Sequence, residues 1–595
     1  MSSMSMSPQV IERASSSSDD AHESWLLARQ KVNTTILTYY AASLSALIGV
    51  FIITHWLRFI AVRLGWSRSP NPILLPVSAI SRVTRRILVR NLPGFTSVGH
   101  AVLVIVYVAF NVTFSFWKVD YSIDANLAAR FGWMATGNMV FVVFLALKNT
   151  PLAFLTAYSY ERLNVLHRIA GYTTMLYVIL HASIYASYFI SVGRIETLRE
   201  DVVTAGIIAG FTMFGAVAAG MILRRFNYEL FYIVHVILFL AIVVTLGLHR
   251  PDLKGERTLY ATIILAAVWF ADRLIRFSRL AYNSINNEAN VYALPDGGTR
   301  IVLKKPISRA RPSKHCYVWL PKIRAFETHP FTIVATEPFE LVINSYSGFT
   351  RDLHHYAMEN PGASLKVSVE GPYGTVPDPL DFDRVVLVAG GSGATFTFGI
   401  AADMLSRMSE NSKQQIDFIW AVKGHDNLTW FTQHLHNLLN HVHAPKIALK
   451  VHVTRLEPKS IRNSSIEHRS SDSSSTNLGP SALEKGNTDY ITSSGPASSA
   501  ATRYESDREE KDATRQTDIS SASSSVTNLN LPIRPGRPDT EAEIKAAVRS
   551  VTKNQRVLIA SCGPDSLTNV VRNVAASCIS VDGPAVEVHC EQFGW

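Results

Sequence analysis

Two apolar stretches each carry a matched pair of histidines. One reads HRIAGYTTMLYVILH, from His167 to His181, and the other HVILFLAIVVTLGLH, from His235 to His249. Each pair is fourteen residues apart. On an α-helix that is a rise of about 21 Å and almost four turns, so both rings leave on nearly the same face. A hydrocarbon layer is roughly 30 Å thick, which puts the two rings near its opposite edges. Two such helices side by side present two histidine–histidine pairs, one above the other. A flat iron porphyrin with two axial imidazoles fits each pair, and two stacked b-type haems would form an electron wire across the layer. A histidine that merely caps or decorates a span would explain one ring, not one spacing repeated in two helices. Zinc gathers its ligands into one tetrahedron, which pairs about 21 Å apart do not offer. No CxxCH occurs, which excludes covalent c-type haem.

The elements that position these rings follow from composition. The chain has 595 residues, room for several domains, and is 47% hydrophobic, with the long apolar runs all before Tyr282. The formal charge is +10, but the basic residues sit in loops between apolar runs, so no nucleic-acid partner is expected. The four cysteines, Cys316, Cys562, Cys578 and Cys590, all follow the last apolar run, so no disulfide framework is expected. The N-terminus through Asp20 is polar and lacks the layout of a cleaved signal peptide. Residues 1–32 are expected to be a disordered tail.

Seven spans are expected, at about 33–57, 98–117, 132–148, 168–190, 204–222, 229–248 and 259–278; the third is the weakest, being short and ending at Lys148. Residues 58–97 hold Arg58, Arg63, Arg68, Arg82, Arg85, Arg86 and Arg90 with no acidic residue. Arg162 and Arg168, then Arg224 and Arg225, then Arg273, Arg276 and Arg279 fall on the same side only if there are seven spans. That side is expected to be cytosolic. His167 and His235 then form the inner pair, and His181 and His249 the outer. Arg168 and Arg250 each adjoin a ligand, where they would meet haem propionates or simply snorkel to the interface.

From about Asn287 the pattern changes to short strands with close turns, which suggests a small barrel. From Asp383 strand and helix alternate, the pattern of a parallel, doubly wound sheet. After the first of these strands, Gly390-Gly391-Ser392-Gly393-Ala394-Thr395 opens a helix whose bare N–H groups can cradle a phosphate. It is not the full GxGxxG fingerprint, and a tight structural turn is the plainer reading; its place between strand and helix favours a dinucleotide. Residues 458–538 are rich in Ser, Thr, Asp, Glu and Arg and are expected to be a disordered insertion.

In combination these motifs resemble the fungal ferric/cupric reductase transmembrane components, of the superfamily that also holds the superoxide-generating NADPH oxidases. The resemblance covers about 33–455 and 539–595. It rests on the two histidine pairs, His329-Pro330-Phe331-Thr332, Gly371-Pro372-Tyr373-Gly374, Gly390 to Thr395, Cys562-Gly563-Pro564 and the terminal Glu591-Gln592-Phe593-Gly594-Trp595. It implies a multi-domain membrane protein: an all-α di-haem bundle over 33–282, an FAD-binding antiparallel β-barrel over 287–376, and an α/β ferredoxin-reductase-like NADPH-binding domain over 383–595. His329, Pro330, Phe331 and Thr332 match the family's FAD element. Ser347-Gly348-Phe349-Thr350 resembles its pyrophosphate turn. Gly371 to Gly374 and Gly390 to Thr395 match NADPH elements, and Cys562-Gly563-Pro564 the segment beside the nicotinamide. Trp595 stands where related folds stack a ring on the flavin, or else packs in the interior. Lys423 and Arg455 would meet a 2′-phosphate, and no acidic residue follows the IDFIWAV strand to take a ribose hydroxyl.

The function implied is a transmembrane metalloreductase, with cytosolic flavin and nucleotide domains, supporting iron or copper uptake at the plasma membrane. Ferric chelates or cupric ions are the expected acceptors, and iron or copper uptake proteins the partners such a role implies. A superoxide-generating NADPH oxidase would share nearly every motif, although seven spans and two equal histidine spacings resemble the reductases more. A seven-span receptor or channel would explain the spans but neither the histidine pairs nor the nucleotide fold.

Overall fold

The computed structural model describes residues 8–65, 75–250, 257–455 and 532–591. The helical half runs α1 (Pro8–Arg63), α2 (Leu75–Leu88), α3 (Val98–Phe116), α4 (Asp124–Ala146), α5 (Leu152–Thr156), α6 (Tyr160–Ser191), α7 (Asp201–Met221), α8 (Leu223–Phe226), α9 (Tyr228–Leu248) and α10 (Arg257–Ser284). Among the described residues seven helices are long and apolar enough to cross a membrane: α1, α3, α4, α6, α7 with α8, α9 and α10.

The third span, the weakest in the sequence, is displaced toward the N-terminus. It begins at Asp124 and ends at Ala146, not at 132–148. This helix is the most enclosed of the seven, with 44% of its apolar window buried against 6–28% for the others. An enclosed helix can keep polar side chains that lipid would reject, and these blunt its hydropathy. Arg130, only 1% exposed, donates to Asn33 Oδ1 at 2.7 Å and to the carbonyls of Phe114 and Trp117 at 2.9 and 2.8 Å. Asn138 accepts from the hydroxyls of Tyr40 and Tyr107. These bonds tie α4 to α1 and α3.

The soluble half begins with β1 (Glu288–Leu294), β2 (Gly298–Leu303), β3 (His315–Trp319), β4 (His329–Thr336), β5 (Phe339–Asn344), α11 (Phe349–Glu359), β6 (Ser364–Lys366) and β7 (Ser368–Tyr373). They make one antiparallel sheet in the order β6-β1-β2-β5-β4-β3-β7. Its two edge strands are separated in the chain by Val367 alone, so the sheet curls round on itself as a barrel. Phe349, Leu353 and Ala357 of α11 pack into its core with Val291, Ile301 and Leu341.

The last domain has β8 (Arg384–Gly390), α12 (Ala394–Arg407), β9 (Gln415–Val422), α13 (Thr432–Leu439), β10 (Ile447–Val453), β11 (Ile533–Pro535), α14 (Thr540–Arg549), β12 (Arg556–Cys562), α15 (Asp565–Cys578) and β13 (Ala585–Glu591). The sheet is wholly parallel, in the order β11-β10-β9-β8-β12-β13. Val385, Leu387 and Ala389 of β8 face one core while Val386 and Val388 face the other, as period-two side chains in a sheet covered on both faces should. The expected insertion is shorter at its C-terminal end. Residues 533–535 lie within the expected 458–538, yet they pair with β10 as the sheet's edge strand. Residues 456–531 lie outside the described residues, as do 1–7 of the expected tail; the rest of that tail, residues 8–32, is not disordered but continues the first span as the start of helix α1.

Candidate functional site

The four histidines meet in two pairs. The ring centroids of His167 and His235 are 6.4 Å apart, and those of His181 and His249 are 6.1 Å apart. A metal–imidazole bond is about 2.0–2.1 Å, so two rings gripping one iron have centroids roughly 6.3 Å apart. Each Nδ1 lies on a backbone carbonyl: His167 on Val142 O at 2.9 Å, His181 on Ala128 O at 2.8 Å, His235 on Ala216 O at 3.1 Å, and His249 on Val202 O at 2.7 Å. A carbonyl only accepts, so Nδ1 carries the proton and Nε2 keeps its lone pair for a metal. The donor set fits two six-coordinate haems.

The acceptors belong to two helices that the sequence reading left without a role. Ala128 and Val142 are on α4, Val202 and Ala216 on α7, and each of these pairs is also fourteen residues apart. So α4 backs both histidines of α6, and α7 backs both of α9. One turn beyond the acceptors stand Gly132, Ala146, Gly206 and Gly220, all small. A Cβ on Gly132 would lie 2.7 Å from Nδ1 of His181, and one on Gly206 would overlap the His249 ring. A period of fourteen in small residues was the available signal. One departure concerns His249, which caps the C-terminus of α9 and is held by its N–H to Thr245 O at 2.9 Å.

Both ligand-bearing helices begin on the barrel. Glu161 lies six residues before His167 and Glu229 six before His235, each preceded by a tyrosine, so a YE-x5-H pattern occurs twice. Glu161 Oε1 is 2.8 Å from His315 Nε2 on β3. Glu229 shares a cluster with Glu327 and His329, whose ligand atoms lie within 4.8 Å of one another. The ring of Phe231 lies 5.3 Å from that of His235.

The same end of the barrel holds the expected flavin motif. His329 to Thr332 lie on β4, and the His329 ring stacks on Phe349 at 4.2 Å between centroids. Gly348 caps α11 with φ of +61°, a conformation that glycine takes without a Cβ clash, and no side chain caps the helix. Free N–H groups there suit a phosphate. Thr350 Oγ1 accepts from Tyr346 N at 3.0 Å, fixing the turn that includes Ser347. Gly371, Pro372 and Tyr373 lie on β7, with Gly374 just after it, on the barrel and not on the parallel sheet; Tyr373 stacks on His315. In register His315 faces Thr332 on one side and Tyr373 on the other, so β3 joins the two motifs.

A buried network locks the barrel to the bundle. Arg276 of α10 holds Glu370 through two bonds of 2.8 and 3.1 Å, and Tyr373 donates to the same carboxylate. Burial alone would raise the Glu370 carboxyl, but the Arg276 hydrogen bonds and charge outweigh it and hold it below the usual carboxylate range. Lys148 sits 3.1 Å over the Tyr317 ring, and Thr375 donates to Ala157 O at 2.9 Å. Arg276, which the sequence offers only as a loop charge, is thus a specific ligand of the barrel.

In the parallel sheet the two expected nucleotide segments meet at the switch point between β8 and β12, where ligands bind in such folds. Gly393 packs so closely on the Cys562 carbonyl that a Cβ there would overlap it. Gly390 and Gly391 form the turn, Ser392 O accepts from Thr395 Oγ1 at 3.0 Å, and Ala394 opens α12. Gly563 and Pro564 lie against Gly390. The Cys562 side chain itself is fully buried, and burial pushes its thiol well up, so it is no thiolate. Arg455 N donates to Lys423 O at 2.9 Å, which sets these two exposed residues side by side just past the carboxyl ends of β9 and β10. Residues 592–595, with Trp595, lie outside the described residues.

Three family models match in succession: a ferric reductase like transmembrane component over 131–246, which contains His167, His181 and His235 and ends three residues before His249, an FAD-binding domain over 283–377, and a ferric reductase NAD binding domain over 382–576. Ferric reductase transmembrane component 3 of Saccharomyces cerevisiae is 27% identical over 349 residues, covering 56% of this chain and 48% of that protein. The chain is similar to the fungal ferric/cupric reductase transmembrane components. Ferric/cupric reductase transmembrane component 2 of the same yeast is 27% identical over 379 residues, covering 60% and 52%. The probable cell surface ferric reductase kap2 of Aspergillus oryzae is 26% identical over 404 residues, covering 61% and 53%. The chain spans about half the length of these relatives. The chain is a multi-pass membrane protein with FAD-binding and NAD-binding domains.

Proposed function

We propose that the chain is a transmembrane metalloreductase, taking electrons from cytosolic NADPH through FAD and two b-type haems to a ferric chelate or cupric ion on the opposite side. The observation that carries this reading is the pair of iron-sized imidazole gaps on two helices that both start at the flavin barrel. When bound, the nicotinamide, flavin and haems supply the hydride and single-electron chemistry. The chain's residues hold and orient. Gly390 to Thr395 and Cys562 to Pro564 would cradle the dinucleotide, with Lys423 and Arg455 at its 2′-phosphate. His329 to Thr332 and Ser347 to Thr350 would hold the FAD. The four histidines would ligate iron through Nε2, with Arg168 and Arg250 toward the propionates. Relatives named as ferric and as cupric reductases support the acceptor class, and one named as a cell surface protein supports the plasma membrane.

The test is NADPH-driven reduction by sealed, oriented vesicles, with ferric chelate and dioxygen offered separately. Ferrous product that persists without oxygen and resists superoxide dismutase is the expected result. A signal lost under either condition means that the protein makes superoxide.

A further inference from the structure

Helix α2 carries two opposed faces that the electron route leaves without a role. Along one run Val77, Ile80, Val83 and Ile87, spaced so that they form a single stripe at 3.6 residues per turn. They are 64%, 67%, 50% and 52% exposed, in the range of Val50, Ile53 and Leu57 on the spanning helix α1, at 57%, 59% and 60%. On the other face Arg82 Nη1 donates to the carbonyls of Val581 and Gly583 at 2.8 and 2.6 Å, and Arg85 lies within electrostatic reach of Glu587. Asn91 N donates to Asn573 Oδ1 at 2.9 Å, and Arg58 pairs with Glu587 at 3.0 Å. Arg86 and Arg90 are exposed, at the margin between the two faces.

What covers the stripe follows from continuity and charge. The helix connects two spans, α1 and α3, so it begins and ends at one surface of the same layer. An amphipathic helix in that position lies in the plane of the interface with its apolar face among the acyl chains. Residues 58–97 hold seven arginines and no carboxylate, which suits a leaflet carrying anionic headgroups.

We propose that α2 is an in-plane membrane-surface helix that ties the nucleotide-binding domain to lipid. Val77, Ile80, Val83 and Ile87 enter the leaflet facing the soluble domains, Arg86 and Arg90 meet its anionic headgroups, and Arg82 and Arg85 grip the loop and strand around β13. This holds whichever acceptor the enzyme uses.

The full-length protein is placed in lipid nanodiscs, in a Cys578→Ser background that removes the half-exposed native thiol. Bimane is attached at Ile80→Cys or, on the docked face, Ser78→Cys. Brominated phosphatidylcholine is expected to quench the probe at 80 at least several-fold more than the probe at 78. Equal quenching, or a probe at 80 reached only by aqueous iodide, overturns the assignment. A probe at 80 shielded from both quenchers in a particle of two chains overturns it in favour of a self-contact. A second measurement needs no label. Amide exchange across α2 is expected to slow several-fold when phosphatidylserine is added to phosphatidylcholine discs, and the Arg86→Gln/Arg90→Gln variant is expected to lose that difference. Exchange independent of lipid charge in the unaltered protein overturns the headgroup contact.

Discussion

At the scale of single residues, the site depends on what the histidines cannot do alone. An imidazole presents Nε2 to a metal only if something fixes its tautomer and its tilt. Here carbonyls of neighbouring helices do the first and missing side chains do the second. Gly132 is therefore expected to be intolerant: even Gly132→Ala puts a methyl 2.7 Å from the His181 ring, and the ring is held by its bond to Ala128. The purified variant should lose about half of its low-spin haem absorbance while keeping its flavin, and a full-strength spectrum would refute the cradle. Arg276 makes a second case. Removing one partner of a buried pair strands the other charge and costs about 3–5 kcal/mol. Arg276→Met should lower the melting temperature read from flavin fluorescence, and Arg276→Met/Glu370→Met should recover part of the loss. No recovery would mean that the pair is incidental. The pH dependence has a definite sign. Glu370 is held below its ordinary value, so its contribution is complete above the unfolded value of about 4.3 and is lost only as pH falls through the lower folded value. Docking should thus be flat from pH 7 to 5.

At the scale of elements, the sequence was most informative where one physical constraint dominates. Spans must be apolar, so all seven stood out, the third least; ligands must recur at one spacing, so the four histidines did. The elements that were missed or misplaced obey more than one constraint. Helix α4 is both a span and an interior wall, and its buried Asn126 and Arg130 disguise its first turns. Helix α2 is neither buried nor spanning. The short strand β11 has too few residues to show alternation, and it follows a polar stretch that reads as one continuous insertion. The acceptors for the histidines left no direct mark, because a carbonyl does not depend on residue type; only the small residues one turn beyond them carry the period. The strand yields a prediction. Replacing 456–531 by a Gly/Ser linker of about twelve residues, enough for a parallel crossover, should leave NADPH-dependent flavin reduction intact. Removing 458–538 outright also deletes β11 from the sheet edge, and should lower the thermal stability of the nucleotide domain measurably more. Equal behaviour of the two deletions would show that β11 contributes nothing.

At the scale of the whole molecule, the two histidine pairs are not equivalent, because the soluble half docks on one face only. Glu161 and Glu229, one helical stretch before His167 and His235, reach the barrel, whereas His181 and His249 lie fourteen residues further along the same helices. On the proposed route, electrons entering from the barrel would meet the inner pair first. This makes the order of the pairs measurable. His235→Leu, when mixed anaerobically with NADPH, should reduce its flavin and leave the outer haem oxidised over the period in which the unaltered protein reduces both. His181→Leu should reduce flavin and the inner haem at the normal rate, yet deliver nothing to a ferric chelate outside. The two variants lose the same ligand type from the same kind of pair, so general damage to the bundle would affect them alike. Only a serial path separates them. If His181→Leu reduced the external chelate normally, the outer pair would not lie on the route. If the outer haem of His235→Leu filled as fast as in the unaltered protein, the flavin would be reaching it by a path that bypasses the inner pair.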